Sequence, residues 1–469
     1  MNKILRILLR LTLGLTALVI VALILCLDGV DHRPYFRAPY YIDTNTRLRA
    51  SLVTNAVIRG ELAAGFGRAL LTPTINAATD EPTKGQFRSL PLAGYGNRRG
   101  KSATGVHDDL YIKAVALRVG NRLGVMLGAD ALIIPSEITE AAMHRIESEL
   151  KLSREQIYLS ATHTHCSLGG WGEGMVAEAF AGGFQPGARV WFADRIVSAV
   201  RDAIADLKPA TFGDGRFAAP EFLRNRLVGE LGKVDPEFSY VVLKQNDGKL
   251  AVLGSFAAHA TVLSGDMMEF SADYPGCWQR AVEQATGGTA VFLAGGCGSH
   301  GPVSGGKGFA GAERMGQGLA QQLLKHLPKT PLTNTITFGM LGLDLSMPPF
   351  NVRVSDNLRL RPWLAQRLMP VNKSRQSFIQ AFRLDDAVWI STPCDFSGEL
   401  ALGIKDFLQV RGRHAVVTSF NGDYIGYVIS PRYYHLDGYE PRTMSFFGPN
   451  VPDYFDEMIR KMALELGTK

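Results

Sequence analysis

The chain has 469 residues, 46% hydrophobic and 20% charged, the make-up of a globular protein with material for a large core. Its formal charge of +6 is modest and spread along the chain, which suits proximity to an anionic membrane surface. No basic stripe interleaved with aromatics is present, so the expected partners include no nucleic acid.

The first element is the N-terminal one. Lys3, Arg6 and Arg10 precede or enter an apolar run over 11–27. Counted from Ile4, this run reaches the roughly 20 residues a bilayer core requires, with Arg6 and Arg10 snorkelling. Basic residues ahead of it keep that end in the cytoplasm. The expected layout is a basic cytoplasmic segment over 1–10, a transmembrane signal-anchor over 11–27, a linker over 28–50 and one large domain over 51–469. That domain lies on the extracytoplasmic side, periplasmic or extracellular. A cleaved signal peptide is the rival reading and would give a secreted protein, but 21–26 is bulky almost throughout and offers no small-x-small cleavage site.

Residues 28–50 read as an extended linker, and 78–105, rich in Gly, Arg, Lys and Ser, as a long loop over a surface or cleft. SEITEAAMHRIESELK predicts a helix that Ser136 or Thr139 could cap. QIYLSATHTH predicts a strand running into a glycine-rich loop, and WFADRIVSAVRDAIADL a second amphipathic helix. FSYVVLK and AVLGSFAAHATVL predict strands divided by a DGK turn. AVFLAGGCG reads as a buried strand, MGQGLAQQLLKHL as a helix, and a last helix falls near YFDEMIRKMALEL. Strands and helices alternate throughout. The expected fold is α/β: a single large domain with mixed β-sheets flanked by helices, preceded by the N-terminal transmembrane helix.

The histidines carry the chemistry. If SATHTHCSLGG is extended, His163 and His165 point to one side, and two imidazoles at a strand end suit a metal or a proton-transfer site. The plain alternative is a structural or surface role for either. His107 precedes Asp108 and Asp109, which either orient a ligand imidazole or simply open a helix. His259, in the apolar FAAHATV, reads by default as a hydrogen-bonded core histidine, and Asp273 in SADYPG as a turn residue or a catalytic one. Cys297, Ser299 and His300 share a glycine-rich loop that either cradles an anion, supplies a nucleophile or is a tight turn. It is not a G-x-S-x-G elbow. Asp395 and Glu399 follow a predicted strand, and tyrosines 424, 427, 433, 434 and 439 cluster after them. Four cysteines lie beyond the apolar run. Cys166, Cys297 and Cys394 adjoin candidate segments, so one or two disulfides are open in an oxidising compartment.

In this order the segments GVHDDLY, ATHTHCSLGG, Asn225–Arg226, Asp235–Pro236, FAAHATV, SADYPG, PCDFS and YVISPRYYHLDGYE resemble the catalytic domain of the neutral/alkaline ceramidase family. The resemblance implies a zinc-dependent amide hydrolase with one catalytic Zn2+ ion, splitting the N-acyl bond of a lipid or lipid-like substrate. It implies His107, His165, Asp395 and Tyr427 as zinc ligands and Tyr439 as the group holding the tetrahedral oxyanion. His163 is then a supporting or proton-carrying group, although either histidine of the pair can be the ligand. Asp395 stands where the family usually has glutamate. The family's loop runs glycine-aspartate-variable-serine-proline. Set against Gly298–Ser299–His300–Gly301–Pro302, it puts Gly301 at the serine's place, and Ser299, Cys297 and His300 are the residues that could compensate. The family's usual C-terminal immunoglobulin-like domain has no counterpart within the sequence. The alternatives are a metal-dependent esterase or lactonase on the same centre, and a catalytically silent membrane-anchored lipid-binding protein.

Overall fold

The computed structural model describes residues 3–52, 57–368 and 376–467. Its frame is a 12-stranded mixed sheet. In chain order the strands are β1 (Ile58–Leu70), β2 (Tyr111–Val119), β3 (Arg122–Ala129), β4 (Ile157–Ala161), β5 (Lys208–Ala218), β6 (Glu237–Gln245), β7 (Leu250–Phe256), β8 (Thr289–Ala294), β9 (Thr335–Ser346), β10 (Gln376–Leu384), β11 (Ala387–Ser391) and β12 (His414–Thr418). The longer helices are α1 (Lys3–Cys26), α2 (Pro39–Leu52), α3 (Ser136–Arg145), α4 (Pro186–Ala205), α5 (Asp273–Thr286), α6 (Gly308–His326), α7 (Gly398–Gln409) and α8 (Val451–Gly467).

β1 is the hub of the sheet. Its start pairs with β9, most of its length with β2, and residues 63–64 with β5. Three arms leave it: β5–β6–β7–β8, β9–β10–β11–β12 and β2–β3–β4. All three contribute to one apolar core that includes Leu62, Val115, Leu253, Phe338, Phe382 and Trp389. Helices cover the outer faces with stripes at helical spacing, for example Phe192, Ile196 and Val200 on α4 and Tyr454, Met458 and Met462 on α8. Each large side chain so buried stabilises the fold by about 1.5–3 kcal/mol.

Most neighbouring strands are antiparallel, but β3/β4, β7/β8 and β11/β12 are parallel. Parallel neighbours need a crossover, and α3, α5 and α7 supply it. The carboxyl ends of these parallel strands are tied together. Gly295 N–H donates to Phe256 O, Ser419 N–H to Ala294 O and Thr392 N–H to Thr418 O, each at 2.9 Å. The Ser391 hydroxyl reaches Leu159 O and the Ser160 hydroxyl reaches Ser419 O, each at 2.8 Å. In α/β sheets, the crevice beyond such strand ends is where ligands bind.

The expected large α/β domain with mixed sheets and flanking helices is what the chain forms. Three local expectations give way. The segment 28–50 is not an extended linker: Leu27–Gly29 pairs antiparallel with Leu358–Leu360, and α2 follows. Among its described residues α2 buries only Thr44 and Leu48, so no apolar stripe announces it. SADYPG is not a turn, because Asp273 opens α5. Pro275 lies in its first turn, where a backbone N–H would lack a helical partner anyway, and Gly276 N–H makes a helical bond to Ala272 O at 3.1 Å. α3 begins at Ser136 with no side-chain cap. α1 is apolar, with a mean hydropathy of 2.5, and none of its most apolar window is buried. At 1.5 Å per residue it is about 36 Å long, enough to cross a bilayer core of about 30 Å.

Candidate metal centre

β4 stops at Ala161, and the chain turns there instead of running on extended. His163 adopts φ +64°, a left-handed conformation that costs a non-glycine residue about 1–3 kcal/mol. Its surroundings hold it there. The backbone N–H donates to Ala131 O at 3.0 Å, ring Nδ1 lies 2.6 Å from Leu132 O, and the ring stacks on Phe420 at 4.0 Å. Phe420, just past β12, is itself at φ +64°. A carbonyl only accepts, so His163 Nδ1 carries the proton and Nε2 presents a lone pair.

That Nε2 lies 2.9 Å from His259 Nε2 and 3.4 Å from His165 Nε2, and the His165–His259 edge is 3.1 Å. Asp395 Oδ1 lies 3.4 Å from His163 Nε2 and 3.7 Å from His259 Nδ1. Zinc–nitrogen bonds of about 2.0–2.1 Å put tetrahedral ligands about 3.3 Å apart. The three Nε2 atoms sit close to that spacing, and Asp395 Oδ1 stands at it from His163 Nε2, whereas its contact with His259 is through Nδ1. Asp395 Oδ2 accepts from the Tyr424 hydroxyl at 2.8 Å, whereas Oδ1 is buried with no hydrogen-bond partner among the described residues. A buried orphan oxygen is costly, and a cation is the partner that the surrounding lone pairs also call for. The residues therefore fit a single zinc-sized ion.

Electrostatics agree. Burial lowers the pKa of His163 to about 3 and holds His165 and His259 well below the usual histidine value, so all three imidazoles are neutral, the form that binds metal. Burial raises Asp395 to about 7 against the opposing pull of Arg226 and Tyr424. Arg226 is pulled down by burial, but Tyr427, Glu440 and Asp395 outweigh this and raise its pKa. Its Nη2 donates to the Tyr427 hydroxyl at 2.8 Å and its Nε pairs with Glu440 at 3.1 Å.

Two glycines make room for the centre. Gly94 (φ +125°) packs on His165 so closely that a Cβ would lie 2.6 Å from His165 Cβ. At Gly298 a Cβ would meet Asp395 O at 2.4 Å, because the loop after β8 lies directly on the segment that carries Asp395.

Of the residues the sequence singled out, His163, His165 and Asp395 come together, and Tyr427 joins them as the register partner of Asp395 in a short parallel pair. His163 and His165 do converge, but through the left-handed turn at His163 and not on one face of a strand. Tyr439 lines the cleft over the cluster with Leu132, Ile133, Phe180, Tyr424 and Met444, is 57% exposed, and its ring lies 5.8 Å from that of Tyr427. His107 is not brought in. It is exposed and stacks on Phe309 at 3.5 Å. Asp108 holds the start of α5 instead, accepting from Ala272 N–H and the Ser271 hydroxyl and pairing with Arg280 at 2.8 Å. Ser299 is buried outside the histidine group, its hydroxyl accepting from Gly398 N–H at 3.1 Å at the start of α7. Gly301 sits in a short strand opposite Arg224.

His259 is the residue that the sequence did not select as a ligand. The signal available was its place three residues beyond a buried strand in an otherwise apolar stretch, which equally describes a core histidine. Cys297, three residues past β8, lies with His259 and Asp395, their ligand atoms within 4.8 Å of one another. Burial holds its thiol well above the usual value. All five cysteines are free, so the disulfides left open by the sequence do not form.

Residues 79–300 match the family model for the N-terminal part of neutral/alkaline non-lysosomal ceramidases. The neutral ceramidase of Mycobacterium tuberculosis is 26% identical over 236 residues, 45% of this chain and 36% of that protein. The neutral ceramidase of Pseudomonas aeruginosa is 25% identical over 228 residues, 44% of this chain and 34% of that protein. The matched stretch thus spans about a third of the length of these curated relatives. A crystal structure of the Pseudomonas aeruginosa neutral ceramidase superposes with a TM-score of 0.70 at 19% identity, covering 86% of this chain and 74% of that one. A ceramidase complexed with C2 gives 0.71 at 18% identity, covering 87% and 75%. His163, His165 and His259 fall inside the stretch matched by the family model, and Asp395 and Tyr427 beyond it. By sequence, residues 79–300 are similar to the N-terminal part of neutral/alkaline ceramidases, and over most of its length the chain shares the fold of the solved ceramidases.

Proposed function

We propose that the chain is a zinc-dependent amide hydrolase that cleaves the N-acyl bond of a lipid or lipid-like substrate. The observation that carries this reading is the convergence of three imidazole Nε2 atoms at ligand spacing, with an unpartnered buried carboxylate oxygen 3.4 Å from one of them. His163, His165, His259 and Asp395 would hold the ion, with Tyr427 beside them. This replaces His107 in the ligand set that the resemblance implied. An ion there supplies Lewis acidity to a carbonyl oxygen and acidifies water. Tyr424 fixes the carboxylate by its bond to Oδ2, and Arg226 fixes the Tyr427 hydroxyl. Tyr439, at the mouth, keeps its hydroxyl available to donate to the oxygen that becomes an oxyanion. Ser299 is buried and its hydroxyl accepts from Gly398 N–H, which supports a role in holding the loop over one as nucleophile.

An apolar substrate suits the surroundings. Ile133, Phe180 and Tyr424 are walls both of the cleft over the cluster and of a neighbouring groove lined by Trp171 and Val176. The length and apolar composition of α1 support reading it as a signal-anchor, which would keep the body on the extracytoplasmic side of a membrane.

The test is metal analysis of the purified full chain, followed by release of fatty acid from a short-chain fluorescent ceramide. About one equivalent of zinc together with amide turnover is the expected result. Zinc with cleavage of esters but not amides would replace the reading with an esterase. No zinc and no turnover, with lipid still bound, would make the chain a binding protein.

A further inference from the structure

α1 does not hang from the body on a free tether. Cys26 O, at its last turn, accepts from Arg361 N–H at 2.8 Å, and Arg361 Nε reaches Ile24 O at 2.9 Å and Leu27 O at 3.1 Å. Leu27–Gly29 then pairs with Leu358–Leu360, and the short helix Pro362–Leu368 follows. Trp363, on that helix, is 57% exposed, while the other four tryptophans, at 171, 191, 278 and 389, are buried. Val354, Leu358 and Leu368 are exposed beside it in sequence, as is Arg367.

A helix rises 1.5 Å per residue, so the Ile24 carbonyl that Arg361 grips lies only about 3 Å inside the end of α1. Where α1 leaves the hydrocarbon, Arg361 is at headgroup level, and Trp363 is two residues further on. A tryptophan with an apolar body and a polar N–H, together with arginines on apolar stems, is the composition of a membrane–water interface.

We propose that the surface formed by the turn 354–358 and the helix Pro362–Leu368 lies in the headgroup layer of the bilayer that α1 enters, with Trp363 as its interfacial anchor. The body is then held at a fixed tilt and does not swing. This rests on reading α1 as a membrane span.

The experiment uses the full chain in phosphatidylcholine vesicles, with and without lipid brominated at acyl carbons 6 and 7, alongside the variant Trp363→Phe. Bromine quenches tryptophan on contact. The expected result is loss of about one fifth of the emission in brominated vesicles, one tryptophan of five, and no such loss in Trp363→Phe. Equal quenching of the two proteins, or none, overturns the proposal. A carbonate wash of the same vesicles separates the two readings. A chain that stays in the membrane with Trp363 unquenched fails the surface proposal alone, and a chain that washes off fails the anchor. Quenching of Trp363 in a chain that washes off supports the surface by itself.

Discussion

His259 lies among the converging nitrogens and His107 does not, and a pair of substitutions tests the ligand set proposed above. His259→Ala removes one of three converging nitrogens and should abolish stoichiometric zinc and turnover. His107→Ala removes a solvent-facing ring stacked on Phe309 and should leave zinc content unchanged and turnover within about threefold, since exposed sites rarely perturb a remote centre. Elemental analysis and a turnover assay on both variants decide the matter, and loss of zinc in His107→Ala would restore the original ligand set. Gly94→Ala is a subtler probe. Its Cβ would push on His165, and displacing the support of a ligand typically weakens metal affinity about 10–100-fold. Competition with a chromogenic chelator reads that shift.

At the level of elements, β6 is fastened to α7 and β12 by charge. Lys405 Nζ lies 2.8 Å from Asp235 and 3.1 Å from Glu237, and His414 Nε2 lies 2.9 Å from Glu237. Burial opposes the Glu237 charge, but His414 and Lys405 outweigh it and hold the pKa well below the usual 4.5. A depressed carboxylate contributes stability that is present above its unfolded pKa and lost as pH falls through the folded one. Glu237→Gln should therefore cost about 1.5–3 kcal/mol at pH 7, and the deficit should shrink as pH drops below about 4.5. Urea unfolding at a series of pH values measures it. The elements legible in the sequence were those with a long apolar period: α1, α4, α8, and the β6/β7 pair around its DGK turn. α2 stayed hidden because only two of its described residues are buried, and α5 because Pro275 and Gly276 near its start read as punctuation. The site was half legible for a related reason. His163 and His165 stand out as neighbours in sequence, and their convergence was anticipated from strand geometry although the backbone achieves it through a left-handed residue. His259 meets them only through the crossing of parallel strands, and no local pattern encodes that.

For the molecule as a whole, the free cysteines make a simple prediction. Unfolded without reductant, the chain should titrate five thiols, and a lower count would show oxidation that the folded arrangement does not contain. The ligand atoms come from beyond the ends of β4, β7 and β11, strands on all three arms of the sheet. An unfolded chain cannot offer them together, so an ion held there would bind the native state and spare the denatured one. By mass action, free metal at about a hundred times its dissociation constant then adds about 2.7 kcal/mol to the unfolding free energy. An occupied centre would thus double as a clasp on the three arms. Chelation should lower the melting temperature by some degrees and added zinc should restore it, so metal occupancy can be followed in a melting curve before any substrate is known.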